Sequence, residues 1–250
     1  MEGNHGKSSA LVIIDVQNEF VSVNGTFPIS DACRTDLITN LTTLIPRFRK
    51  SGHIIWVKAI YPERTEEPSC MKEYQKGDGI LGSNEWLAAA THVHPTPCCA
   101  AGSFGAEIYP EVFALAEPED VVITKDAYSA FSGNSGYRFL EALREKNVTD
   151  AYFCGVASGT CVLATVVDAV KLDDLQVHVV LNCMGWRRLN THEEAIQRFK
   201  GLNVNLANSD HVGELESVAE IYTNLTVTSP PEKVEVVCLL IPGGKTVTLQ

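Results

Sequence analysis

The chain has 250 residues, enough for one sizeable α/β core and short for two domains. With 45% hydrophobic and 20% charged residues it reads as globular rather than disordered. A formal net charge of −11 argues against a nucleic-acid or anionic-membrane surface, and no run is apolar enough for a membrane span.

The first residues, Met1 to Ser9, carry no apolar signal core. The eight cysteines are therefore read as thiols in a reducing compartment, and the expected location is cytoplasmic. Ala10-Leu-Val-Ile-Ile-Asp15 is a continuous apolar run rich in β-branched residues. It predicts a strand buried on both faces, as parallel sheets require. An acid at its end, Asp15, is costly to bury unless it is paired or used. From Asp31 to Lys50, Leu37, Ile38, Leu41, Leu44, Ile45 and Phe48 form one face of a helix. Ser30 or Asp31 caps its start, Ser51-Gly52 ends it, and Pro46 is a candidate kink. His53 to Ile60 is the second predicted strand.

Tyr61 to Gly105 is irregular, with a helical pattern confined to Asn84–Ala90. A loop of this length serves as a lid, a binding loop or an interface. Within it His92, His94, Cys98 and Cys99 are the most metal-like cluster, but their spacing matches no zinc pattern and packing is the better reading. Val121 to Lys125 is the third strand, ending in a lysine. A helix follows from Ser135 to Lys146, with Phe139, Leu140 and Leu143 inward.

Ala151 to Cys154 is a fourth strand, broken by the small residues Gly155 to Thr160 and followed by a helix-period segment. Cys161 then lies in the first helical turn at the carboxyl end of a strand. Unpaired N–H groups and the helix dipole favour a thiolate there, so the expectation is a lowered thiol pKa and a nucleophile. Gln176 to Leu181 is the fifth strand. Thr191-His-Glu-Glu194 reads as a capping box for a helix through Phe199, and Val204 to Ala207 as a weak sixth strand.

Strands alternating with helices predict βαβ units, a parallel sheet and helices on both faces. Ligands bind at the carboxyl ends of such strands. Asp15, Lys125 and Cys161 each sit at or just past such an end, in three separate units. No Gly-x-Gly-x-x-Gly and no phosphate loop follows a strand, so those routes to nucleotide binding are not indicated. No cofactor and no metal is expected.

Three stretches carry a family resemblance: Leu11-Val-Ile-Ile-Asp-Val-Gln-Asn-Glu-Phe20, Val122-Ile-Thr-Lys-Asp-Ala-Tyr-Ser-Ala-Phe131 and Gly155-Val-Ala-Ser-Gly-Thr-Cys-Val162. Together, and with Gly102 to Glu111, they resemble the isochorismatase-like cysteine hydrolases. These include nicotinamidases and carbamoylsarcosine, ureidoacrylate and biuret hydrolases. The resemblance implies a three-layer α/β/α Rossmann-like sandwich with a six-stranded parallel sheet. It implies a catalytic triad of Asp15, Lys125 and Cys161, and a cis bond at Val156–Ala157 that aims the Ala157 and Cys161 N–H groups at an oxyanion. It places Gln17, Phe20, Tyr128 and Phe131 among pocket-lining residues. It implies a small-molecule substrate and favours a homo-oligomer, while the charge and hydropathy lead to the expectation of no nucleic-acid or membrane partner.

The implied chemistry is cleavage of a C–N bond in a small amide, carbamoyl or ureido substrate through a Cys161 thioester. The alternative is hydrolysis of the isochorismate vinyl ether with Asp15 as the acid. Nicotinamidases carry an Asp-x-His metal motif after the second strand. Here that place reads Val57-Lys-Ala-Ile-Tyr-Pro62, which argues against the metal and against nicotinamidase activity. The resemblance covers about residues 10 to 210, and the hydrolase domain is read as 8–215. The remainder, 216–250, is a C-terminal extension in which Lys233 to Gln250 reads as a β-hairpin around Pro242-Gly-Gly244, packing on the domain or on a partner subunit.

Overall fold

The computed structural model describes residues 8–61, 98–202 and 204–212. The Asn84–Ala90 helical pattern, His92, His94 and the Lys233–Gln250 hairpin lie outside the described residues. In chain order the elements are β1 (Ser8–Ile14), α1 (Asn18–Val21), α2 (Asp31–Phe48), β2 (His53–Ala59), α3 (Pro110–Phe113), β3 (Val121–Lys125) and α4 (Gly136–Glu145). They continue with β4 (Val148–Gly155), α5 (Leu163–Ala169), β5 (Gln176–Met184), α6 (Leu189–Gly201) and β6 (Asn205–Ala207).

The six strands form one all-parallel sheet in the order β3-β2-β1-β4-β5-β6. Growth reverses between β1 and β4, the switch point where doubly wound sheets open a crevice at their carboxyl ends. Right-handed crossovers then place α2 on one face and the helices following β3 and β4 on the other.

The strand residues are apolar on both faces because both faces are covered. Leu11, Ile13, Ile54, Trp56, Tyr152, Cys154 and Val180 share one face by register and meet Leu37, Leu41, Leu44, Ile45 and Phe48 of α2. Val12, Ile14, Ile55, Val57, Phe153 and Val179 occupy the other face and are equally buried. Burying a Leu, Ile or Phe side chain is worth about 1.5–3 kcal/mol, so this double load is the main stabilising term.

Local signals were followed closely, with three departures. Ser30 caps α2, its Oγ accepting from the Ala32 N–H at 3.3 Å, while Asp31 pairs with Arg34 instead. Pro46 falls in the last turn of α2, where the helix is ending in any case. The capping box at Thr191 does not form: α6 starts at Leu189, so Thr191 already lies inside it and donates its hydroxyl to the Arg188 carbonyl at 2.8 Å. On α4 the inward stripe is Phe139, Ala142 and Leu143, and Leu140 is only half-buried, because the helix turns its 139–142–143 edge to the sheet. No helix among the described residues is long and apolar enough to cross a membrane.

Candidate active site

The carboxyl ends of β1, β3 and β4 converge at the switch point. Asp15 follows β1 directly and adopts φ +50, a left-handed conformation that Asp tolerates better than most residues. Its N–H is held by the Val57 carbonyl at 2.8 Å. Beside it, Gly155 at φ +111 ends β4. A Cβ there would lie 2.1 Å from the Ile14 carbonyl oxygen, so only glycine lets the two strand ends come this close.

Lys125 is the last residue of β3, two strands from Asp15. Adjacent strands stand about 4.8 Å apart, so the side chain must cross roughly 10 Å over β2. Its register partner on β2 is Ala59, which leaves the path clear. The ammonium reaches Asp15 Oδ2 at 2.8 Å, the Ala127 carbonyl at 2.9 Å and Cys161 Sγ at 3.4 Å. Asp15 is 0% exposed and Lys125 1%. A buried ion pair is a poor stabiliser, since desolvation offsets its attraction. Its presence at a strand-end crevice points to chemistry instead.

Val156 and Ala157 are joined by a cis peptide bond, and the chain then makes a wide π-type turn, Ser158–Val162, before α5. Cys161 lies in this turn and is 5% exposed. Thr165 clamps it from the next turn: its Oγ1 donates to the Cys161 carbonyl at 2.7 Å and accepts from the Ala130 N–H at 3.1 Å. The Cys161 turn is thereby tied to the loop that follows Lys125. On the opposite flank, Ser158 donates its N–H to the Gly185 carbonyl at 3.0 Å and pairs through Oγ with His192 Nδ1 at 3.0 Å.

The expected lowering of the Cys161 pKa is not what the fold produces. Burial pushes the thiol up to about 12, and Asp15 adds to the rise while Lys125 opposes it. The turn explains this. The N–H groups of Thr160 and Val162 both bond to the Ala157 carbonyl, at 3.0 and 3.3 Å, and so are not free to favour the sulfur. Burial likewise raises Asp15, against the pull of Lys125 and the Cys161 thiol. Lys125 itself is raised: burial works against its charge, but Asp15 and Cys161 outweigh it. The resting site is therefore a neutral thiol beside an ion pair whose carboxylate is a stronger base than an ordinary Asp.

The remaining sequence-derived candidates divide. Gln17 is buried, and its amide is committed to the frame: Nε2 donates to the Ala59 and Ala106 carbonyls at 2.8 and 2.9 Å, and Oε1 accepts from the Ala59 N–H at 2.7 Å. With Gln17 bridged to Ile108 and Tyr109 N–H on the Val16 carbonyl at 2.8 Å, it anchors the 103–109 segment beside β1. Phe20 packs half-buried against the α2 core. Phe131 packs against Phe139 of α4, ring centroids 4.6 Å apart and planes tilted by 54°, so it supports the lysine loop. Tyr128 meets the ring of Tyr61 edge-on at 6.4 Å, near the sulfur.

Tyr61 was not singled out by the sequence. Its hydroxyl stands 3.7 Å from Cys161 Sγ and 3.5 Å from Lys125 Nζ, and its ring lies 5.6 Å from that ammonium. A lone tyrosine opening an irregular stretch carries no local signal of this. Cys98 and Cys99 are free thiols, with Cys99 buried and its Sγ 3.9 Å from the Gly105 carbonyl.

The strand exit where a metal would sit is built from Ala59, Ile60 and Tyr61. The Ala59 N–H is taken by Gln17, and the Ile60 N–H by the Lys125 carbonyl at 2.8 Å. An ammonium, a phenol and a thiol do not make a divalent-cation donor set. Among the described residues no group of three His, Cys, Asp or Glu is placed to hold a metal.

Residues 9–211 match the isochorismatase domain model. A probable inactive nicotinamidase of Arabidopsis thaliana is 23% identical over 199 residues, covering 79% of this chain and 91% of that protein. A ureidoacrylate amidohydrolase of Variovorax paradoxus is 26% identical over 181 residues, covering 68% and 66%. The nicotinamidase/pyrazinamidase of Bacillus subtilis superposes with a TM-score of 0.63 at 20% identity, covering 80% of this chain and all of that one, which speaks for the fold alone. The domain match spans most of the chain and contains every strand of the sheet, and on it this chain belongs to the isochorismatase family of hydrolases.

Proposed function

We propose that the protein is a cysteine hydrolase that cleaves a C–N bond of a small amide, carbamoyl or ureido substrate through a Cys161 thioester. The observation that carries this reading is the Lys125 ammonium, 2.8 Å from Asp15 and 3.4 Å from Cys161. Asp15, made more basic by burial, takes the Cys161 proton. Lys125 then faces a thiolate and a neutral acid instead of a thiol and a carboxylate, so its charge is balanced throughout.

The thiolate attacks the substrate carbonyl carbon, and the C=O electron pair moves to oxygen. The N–H groups of Ala157 and Cys161 are the oxyanion donors in this reading. The Ala157 N–H donates to no backbone carbonyl among the described residues, which leaves it available. Asp15 returns its proton to the departing nitrogen as the C–N bond breaks. It next takes a proton from water, whose oxygen attacks the thioester. Collapse expels the Cys161 sulfur, which regains a proton from Asp15. Each step conserves charge across the Asp15–Lys125–Cys161 group and the bound substrate taken together.

A second reading has one observation in its favour. A carboxyl group raised by burial can also stay protonated and donate to the vinyl-ether carbon skeleton of isochorismate, with no need of the sulfur. The test is one panel of small amides, carbamoyl and ureido compounds plus isochorismate, run on wild type, Cys161→Ala and Asp15→Ala. Loss of amide turnover in both variants is expected. Amide turnover retained in Cys161→Ala refutes the thioester route. Isochorismate turnover that survives Cys161→Ala and disappears in Asp15→Ala assigns the ether reaction instead.

A further inference from the structure

We propose that the Tyr61 hydroxyl is a further catalytic group of this site: it donates a hydrogen bond to Cys161 Sγ whenever that sulfur carries negative charge. The inference rests on the reading of Cys161 as the nucleophile.

It begins with a count of protons around Lys125. A lysine ammonium has three N–H donors. Four acceptors surround it: Asp15 Oδ2 at 2.8 Å, the Ala127 carbonyl at 2.9 Å, Cys161 Sγ at 3.4 Å and the Tyr61 oxygen at 3.5 Å. The Asp15 contact is an ion pair without a well-aligned hydrogen bond, so the three protons go to the Ala127 carbonyl, the sulfur and the phenol oxygen. With its oxygen accepting from Lys125, Tyr61 has its own proton free to turn to the sulfur 3.7 Å away. The result is a relay, Lys125 N–H to Tyr61 O–H to Cys161 S. A neutral thiol is a weak acceptor and holds these contacts long. A thiolate is a strong one and shortens them.

The phenol is suited to this role because it keeps its proton. Burial, followed by the charges of Cys161, Asp15, Tyr128 and Cys98, pushes Tyr61 well above its ordinary pKa. It therefore keeps its proton at neutral pH and adds no negative charge beside the sulfur there. Asp15, by contrast, holds the thiol up, and Lys125 has divided its donors. Tyr61 supplies the second donor that the turn N–H groups of Thr160 and Val162 do not. The same contact serves twice: when the thiol loses its proton to Asp15, and when the thioester C–S bond breaks and the electron pair returns to sulfur.

The experiment measures the thiol without any substrate. Full-length wild type and Tyr61→Phe are alkylated with iodoacetamide across pH 6–10, and modification of the Cys161 peptide is followed by mass spectrometry. One hydrogen bond to a charged acceptor shifts an ionisation by about one pH unit. Because the thiol ionises above this window, the readout is the rate, and the expected result is about tenfold slower Cys161 alkylation in Tyr61→Phe at each pH, as a rise of about one unit in its ionisation requires. Superimposable profiles overturn the proposal, and so does a wild-type Cys161 that resists alkylation throughout. If Tyr61→Phe does not fold, 3-fluorotyrosine at position 61 keeps the shape and makes the phenol a stronger donor. Cys161 alkylation should then be faster than in the wild type at each pH, and an unchanged rate overturns the proposal. Absence of amide turnover in the wild type bears on the proposed function and leaves this readout untouched.

Discussion

Replacing Lys125 by Met removes the charge and keeps most of the volume, and its consequence for Asp15 can be worked out. Asp15 is 0% exposed, and neither of its oxygens accepts a well-aligned hydrogen bond among the described residues; what holds it ionised is the ammonium at 2.8 Å. Without Lys125 the folded protein keeps Asp15 protonated, while the unfolded chain ionises it near pH 3.9. Between those values the folded state binds one proton more than the unfolded state, so stability is lost as pH rises, by about 1.4 kcal/mol per unit. Holding the acid neutral costs about 4 kcal/mol at pH 7 and about 1.5 kcal/mol at pH 5. The gap between wild type and Lys125→Met should therefore narrow by about 2.7 kcal/mol on acidification from pH 7 to pH 5. For a domain of this size that is roughly 5–11 °C in melting temperature. Relief of lysine desolvation and the added methionine packing shift the gap but not its slope, since neither titrates in this range. Urea unfolding at pH 5, 6 and 7 reads the slope directly. A gap that stays constant with pH would show that Asp15 is not held ionised by Lys125 and would refute the electrostatic account of the site.

Asp120→Ala should cost about 2–3 kcal/mol in urea unfolding, because it leaves the buried Trp56 Nε1, now 2.9 Å from the carboxylate, without its acceptor and Arg49 with only Glu117 and the Leu115 carbonyl; a loss below about 0.5 kcal/mol would contradict that role. His53, His178 and His192 are all held below the usual imidazole pKa by burial. The unfolded chain therefore takes up their protons first, and stability that is complete above about pH 6.5 should decline by on the order of 1 kcal/mol as pH drops through 6.5 towards 5.5. In His192→Gln part of that decline should vanish, and a wild type equally stable at pH 5.5 and 7.5 speaks against it. Exhaustive chelation should leave turnover unchanged, checked by elemental analysis; a stoichiometric metal whose removal abolishes activity would reverse the reading of the β2 exit.

The strand runs Ala10 to Asp15, Val121 to Lys125 and Ala151 to Cys154 were legible because their information is local. A continuous apolar run of strand length, followed by a helical period, predicts a two-face-buried parallel strand whatever lies elsewhere in the chain. The α2 stripe was legible for the same reason, and so was the position of Asp15, Lys125 and Cys161 at strand ends. The capping box at Thr191 misled because a four-residue pattern says nothing about the two residues that tertiary packing adds in front of it.

What only the tertiary structure decided was which residues meet and what charge they carry. The order β3-β2-β1-β4-β5-β6 puts a strand between Lys125 and Asp15, and a residue as small as Ala59 lets the ammonium cross it. Gln17 sits two residues from Asp15 in sequence, yet its donors are spent on Ala59 and Ala106, 42 and 89 residues away. Tyr61 reaches the sulfur across 100 residues of chain. The Cys161 thiol is raised rather than lowered because desolvation is set by everything that surrounds it, while the helix-terminus pattern that suggested the opposite counts only its immediate neighbours. Periodicity reports how a segment meets a core; distances between segments, and the pKa values that depend on them, exist only once the sheet is assembled.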